Sequence, residues 1–184
     1  DMHAIAYDRR GFGRSEQPVA GYDYDTLADD LADVLEHYDA NDATLIGFSM
    51  GGGEVARYLS RHGSKRIRNT VLISAVVPYM LKTEDNPEGV EQKVFDGMAK
   101  GMKEDRAHFW AGFFRDFYGM GLLEKPVSNE VITWSCNMAM QAGLKATLAC
   151  AEAFASTDFR PDMQAFTMPT LILHGDADAT VPEG

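Results

Sequence analysis

Five consecutive residues, Gly47-Phe48-Ser49-Met50-Gly51, hold the strongest chemical signal in this 184-residue sequence. They match G-x-S-x-G, the pattern of a nucleophile elbow, in which a serine sits on a sharp strand-to-helix turn with its hydroxyl clear of the sheet. The turn is tight enough that the residues two before and two after the serine crowd each other, so both positions favour glycine, and the serine backbone is strained. A helix starting at this point supplies unpaired N–H groups and the positive end of its dipole. The N–H of Met50 is then placed to donate to the oxyanion of an acyl-transfer intermediate.

A serine nucleophile needs a base, and the base needs an acid to orient it. The late stretch HGDADATVP (174–182) carries Asp176 and Asp178 just beyond an apolar strand. The carboxyl ends of the strands are where the sites of such sheets assemble. Either aspartate could serve, and the residues alone favour Asp178 only slightly. Two competing readings of the glycines fail. Gly51-Gly52-Gly53-Glu54-Val55-Ala56 fits a dinucleotide-binding turn, but the next apolar run, TVLISAVVP, ends without the acidic residue that holds a ribose. A phosphate-cradling loop needs Lys-Ser or Lys-Thr after its glycines, and neither is present. No cofactor and no metal site is expected.

The elements that must position these residues alternate. MHAIAYD (2–8), ATLIGF (43–48), NTVLISAVVP (69–78) and MPTLILHG (168–175) read as four strands, and ATLIGF lacks alternation, as a strand covered on both faces does. A helix is expected from Asp25, with Asp25 or Thr26 as cap, Asp29 and Asp30 near its positive end, and Leu27, Leu31, Val34, Leu35 and Tyr38 on one face. A second runs over 51–62 and stops at Gly63. Strands joined by helical connections imply an α/β fold with a parallel sheet and helices on both faces.

Residues 79–166 differ in texture, with helical periodicity over 90–118 and 129–155. They read as a helical cap between two parts of the core, 1–78 and 167–184. Their aromatic and methionine side chains (Phe95, Met98, Met102, Phe109, Trp110, Phe113, Phe114, Trp134, Met138, Met140) are first of all packing residues, with a subset available to line a substrate cavity.

Composition bounds the partners. Asp and Glu outnumber Lys and Arg by 28 to 17, a formal charge of -11 that disfavours nucleic acid and anionic bilayers. No apolar run is long enough to span a membrane, and residues 1–15 lack a signal-peptide pattern. Two cysteines, Cys136 and Cys150, suit reduced thiols and a cytoplasmic location. The oligomeric state is left open.

Taken in order, YDRRGFGRSEQP, LIGFSMGGGEVARYL and LILHGDADATVP, with a helical cap between the last two, resemble the α/β-hydrolase fold. Within it they are similar to the cofactor-free bacterial haloperoxidases, also called perhydrolases or aryl esterases. The resemblance implies Ser49 as nucleophile, Met50 as an oxyanion donor, Asp178 as the triad acid and Asp176 as an organiser of the turn. Arg9, Arg10, Gly11 and Gly13 match a structural turn of the family. It also implies hydrolysis of small carboxylic esters through an acyl-enzyme, with perhydrolysis and halide oxidation as side activities. Lactonase or carbon–carbon bond hydrolase chemistry, or a non-catalytic binding role, are the alternatives. The family histidine, expected about thirty residues beyond the acid, has no counterpart among His3, His37, His62, His108 and His174. The second oxyanion donor, which in the family follows a strand before this chain's first, is missing too. The reading is therefore a fold truncated at both ends, an internal piece of a longer enzyme and inactive alone.

Overall fold

A computed structural model describes residues 3–182. They form two compact units, one of residues 22–95 with 150–182, the other of residues 3–21 with 96–149.

The first unit holds a three-stranded parallel sheet in the order β1 (Ala43–Phe48), β2 (Ile67–Ile73), β3 (Thr170–Leu173). Helices α1 (Tyr24–His37) and α2 (Met50–His62) cover one face. Leu45 and Leu72 from the strands pack there with Leu31 and Leu35 of α1 and with Val55, Tyr58 and Leu59 of α2. The inner register row pairs Leu45 with Thr70 and Thr70 with Thr170, whose hydroxyls meet at 2.7 Å.

The opposite face departs from expectation. Ile46 lies beside Val71 and Leu171, and Phe48 beside Ile73 and Leu173, forming two apolar rows. Ile46, Phe48, Leu171 and Leu173 are exposed. The strand ATLIGF is thus covered on one side only, despite a composition suited to two-sided burial.

Residues 3–8, expected as a strand, form none. They are exposed and belong to no strand. A strand exists only where a neighbour accepts its N–H and carbonyl groups, and apolar composition cannot replace that neighbour. The third strand is shorter at its end than the apolar run, since Ser74 leaves the ladder with φ 39°.

The α1 cap is also corrected. Asp23, not Asp25 or Thr26, accepts from the Thr26 N–H at 2.9 Å, and Thr26 serves as donor. Asp25 and Asp29 instead face α2, where Arg61 bridges them at 3.1 and 3.0 Å. Helix α2 stops at Gly63, at φ 75°, as read from the sequence.

The expected cap helices divide at local breaks into α3 (Gln92–Glu104), α4 (Arg106–Phe117), α5 (Asn129–Gln141) and α6 (Leu144–Ser156). Asp105 ends one helix and caps the next, accepting from the His108 N–H at 2.9 Å. In the second unit α4 packs on α5, and Tyr118 and Ser135 share a hydrogen bond of 2.9 Å. Arg106 closes the end of α5 by donating to the carbonyls of Met140 and Ala142 at 2.7 and 2.8 Å.

Candidate active site

Ser49 stands between the last residue of β1 and the first of α2, with φ 50° and ψ -119°. Side chains rarely occupy this region, and a non-glycine residue stays there only where its surroundings over-determine it. Those surroundings are visible. The Ser49 N–H donates to the Ile73 carbonyl at 2.9 Å, and its own carbonyl accepts from Gly52 at 3.0 Å and Val76 at 3.2 Å. The end of β2, the residues just beyond it and the first turn of α2 thereby clamp the turn.

The flanking glycines act as the motif requires. A Cβ on Gly47 would lie 2.6 Å from the Gly51 carbonyl oxygen. The next two glycines bring other elements close. A Cβ on Gly52 would meet the Ala75 Cβ at 2.4 Å, and one on Gly53 would meet the Phe159 and Tyr24 rings at 2.4 and 2.7 Å.

A serine at a helix N-cap ordinarily bonds its hydroxyl to the first turn. Ser49 makes no such bond, so its hydroxyl is not spent on the helix. Met50 opens α2, and its N–H belongs to the set that has no intrahelical acceptor. Its carbonyl accepts from the Tyr24 hydroxyl at 3.1 Å. Tyr24 is buried and meets the Phe159 ring edge-on at 4.6 Å. Arg57, two turns further along α2, lies over Phe159 and pairs with buried Asp162 at 3.2 Å, and it contacts Asp25 as well. The start of α2 is therefore held by a buried aromatic pair and by charges on either side.

Asp178 lies in the turn after β3, the same carboxyl end of the sheet. Its Oδ1 accepts from the N–H groups of Thr180 and Val181, each at 2.9 Å. Asp178 therefore organises this turn, the part expected of Asp176, which is exposed. Its Oδ2 lies 3.8 Å from His174 Nε2. Burial alone would raise the Asp178 pKa, but the Val181 and Thr180 N–H groups, the Ser74 side chain and His174 outweigh it and hold the carboxyl below its usual value. It is anionic at neutral pH.

Ser74 is a residue that sequence reasoning missed. It follows β2 at positive φ, its N–H donates to the Leu173 carbonyl at 2.9 Å, and its hydroxyl helps hold the Asp178 carboxyl below its usual value. The only hint in the sequence was a small polar residue ending the apolar run NTVLI. The Ile73 carbonyl accepts from Ser49 and the Ser74 N–H donates to Leu173, so adjacent residues at the end of β2 bond to the serine turn and to the strand that leads into the Asp178 turn.

The histidines are engaged elsewhere. His174 Nε2 is 2.7 Å from the Val181 carbonyl, His62 is 2.7 Å from Asp29, and His37 packs edge-on to Tyr38. His3 and His108 are exposed. Among the described residues, no group of three or more His, Cys, Asp or Glu could hold a metal ion, and no helix is long and apolar enough to cross a membrane.

A strand-to-helix serine turn and a late aspartate turn at one end of a parallel sheet are the architecture of the α/β hydrolases. The family model described as alpha/beta hydrolase fold matches residues 2–184, and the chain belongs to that family. It is 44% identical over 180 residues to a non-heme chloroperoxidase of Kitasatospora aureofaciens, covering 97% of this chain and 65% of that protein. It is 41% identical over 185 residues to a bifunctional esterase/perhydrolase of Acinetobacter calcoaceticus, covering 98% and 66%. The crystal structure of a bromoperoxidase from Bacillus anthracis superposes with a TM-score of 0.92 at 47% identity, covering 96% of this chain and 64% of that one. The chain thus spans just under two thirds of the length of these relatives.

Proposed function

We propose that Ser49 is the nucleophile of a carboxylic ester hydrolase that works through an acyl-enzyme. Its Oγ attacks the ester carbonyl, the alkoxide leaves with a proton delivered by a general acid, and water completes the cycle by attacking the acyl group. The Met50 N–H supports the oxyanion at the start of α2. Asp178, kept anionic, orients the histidine that carries the proton. Hydrogen peroxide in place of water yields a peracid, which oxidises halide without a metal. The relatives named for chloroperoxidase and for esterase/perhydrolase activity support this pairing of reactions.

The observation that carries the proposal is the Ser49 backbone, strained at φ 50° while its hydroxyl goes unused by the helix it caps. None of the five histidines is bonded to Ser49, so the 184 residues alone are expected to turn over esters slowly at best. The base would be supplied by the remaining length of the relatives' chains. Substrates are small esters, and two free thiols support a reducing cytoplasmic setting.

Fluorophosphonate labelling tests this reading. In a chain extended to the relatives' length, the label should map to Ser49 and vanish in Ser49→Ala. An unlabelled Ser49 there would favour a binding protein.

A further inference from the structure

One residue closes the turn that presents Asp178. Val181 donates its N–H to Asp178 Oδ1 at 2.9 Å, and its carbonyl lies 2.7 Å from His174 Nε2. The Val181 side chain is buried in one cluster with Tyr24, Leu27, Val76 and Phe159, which makes it a fixed point. His174 directly follows Leu173, the last residue of β3. The imidazole therefore ties the end of the strand to an anchored residue seven positions on, with Asp178 in the loop between them.

The partner fixes the tautomer. A carbonyl oxygen can only accept, so the proton of the neutral ring sits on Nε2. That proton goes to the carbonyl although the Asp178 Oδ2 atom, a charged and stronger acceptor, lies 3.8 Å from the same nitrogen, beyond hydrogen-bond reach. The Val181 carbonyl thus holds the His174 N–H off the carboxylate. Asp178 Oδ1 is fully engaged, because the N–H groups of Thr180 and Val181 take both of its lone pairs. Oδ2 is the oxygen left with room for the N–H of another histidine.

We propose that His174 is a positioning residue for the acid of the Ser49 site: its Nε2–H bond to the Val181 carbonyl sets the turn so that Asp178 offers Oδ2, and not Oδ1, to the proton-carrying histidine. This rests on the reading of Asp178 as that acid. His174 takes no part in proton transfer and acts only through the loop it closes. Without its N–H the Val181 carbonyl is released and the loop is free to drift, and an error of about 1 Å in the placement of a catalytic group costs up to about 100-fold in rate.

Two measurements test this. In the 184-residue chain, a long-range proton–nitrogen spectrum at about pH 8.5, above the ordinary histidine range, should show His174 as the Nε2–H tautomer, its signals assigned by their loss in His174→Gln. The Nδ1–H tautomer would overturn the proposal. In a chain extended to the relatives' length, hydrolysis of p-nitrophenyl acetate should lose about 10- to 100-fold in kcat on His174→Leu, with KM changed less than about twofold. The acid limb of its kcat/KM profile should move to lower pH, because a misplaced carboxylate stabilises the imidazolium less. His174→Gln keeps an N–H donor at similar reach and should restore kcat to within about threefold. Unchanged kcat in His174→Leu, or equal losses in the two variants, would overturn the proposal. If His174→Leu does not fold, the tautomer and an active His174→Gln decide, and an inactive one overturns it. An unsubstituted extended chain whose Ser49 takes no fluorophosphonate would instead sink the hydrolase reading and this role together, whereas a labelled chain indifferent to His174→Leu sinks this role alone.

Discussion

The Tyr24 hydroxyl, at the first residue of α1, donates to the carbonyl of Met50, the first residue of α2, at 3.1 Å. Two helix starts are thus tied by one bond beneath the serine turn, in a setting where Tyr24 is 2% exposed. Tyr24→Phe keeps the ring against Phe159 and removes only the donor. It is expected to lower unfolding free energy by about 1 kcal/mol in urea titrations.

The glycine and serine of the turn should respond oppositely to substitution. Gly47→Ala drives a Cβ to 2.6 Å from a backbone oxygen that cannot move aside, and is expected to cost upwards of about 2 kcal/mol. Ser49→Gly relieves a left-handed backbone angle and should be neutral or stabilising by up to about 1 kcal/mol, although it removes the hydroxyl. Thermal unfolding of the two variants side by side checks the pair.

Much of this turn could be read before any coordinates. G-x-S-x-G specifies the clash it avoids, and the helix that follows ends at the glycine the sequence indicated. What stayed hidden depended on neighbours distant in sequence. Residues 3–8 have strand composition but belong to no ladder. The α1 cap is Asp23, and not Asp25 or Thr26, because the helix begins at Tyr24 and both candidates lie inside its first turn. Ser74 carries no motif at all, and its bond to Leu173 exists only because β2 and β3 pair.

Asp178 and Asp176 should separate cleanly. Asp178→Ala breaks two backbone bonds of the turn and should lower the unfolding temperature, whereas Asp176→Ala should leave it nearly unchanged. The Asp178 pKa lies below its ordinary value in the fold. Its contribution is therefore complete above about pH 4 and is lost as pH falls through the folded-state value. The stability gap between the unmodified chain and Asp178→Asn should narrow on acidification below that point. A gap that widens would contradict the assignment.

Arg57 is the counter-charge of a carboxylate that is almost fully enclosed, with the Asp162 side chain 6% exposed. Arg57→Ala strands that charge and is expected to cost about 2–3 kcal/mol, with Arg57→Lys intermediate because an ammonium lacks the planar fork. Double substitution with Asp162→Asn should recover part of the loss in chemical denaturation.

The bare side of the sheet has a practical consequence. Four exposed aliphatic and aromatic side chains in two adjacent rows, on a ribbon whose outer strands each keep an unpaired edge, make an adhesive strip in water. These 184 residues should bind hydrophobic dyes strongly and sediment as larger particles as concentration rises, and a charged residue in place of Ile46 or Leu171 should suppress both.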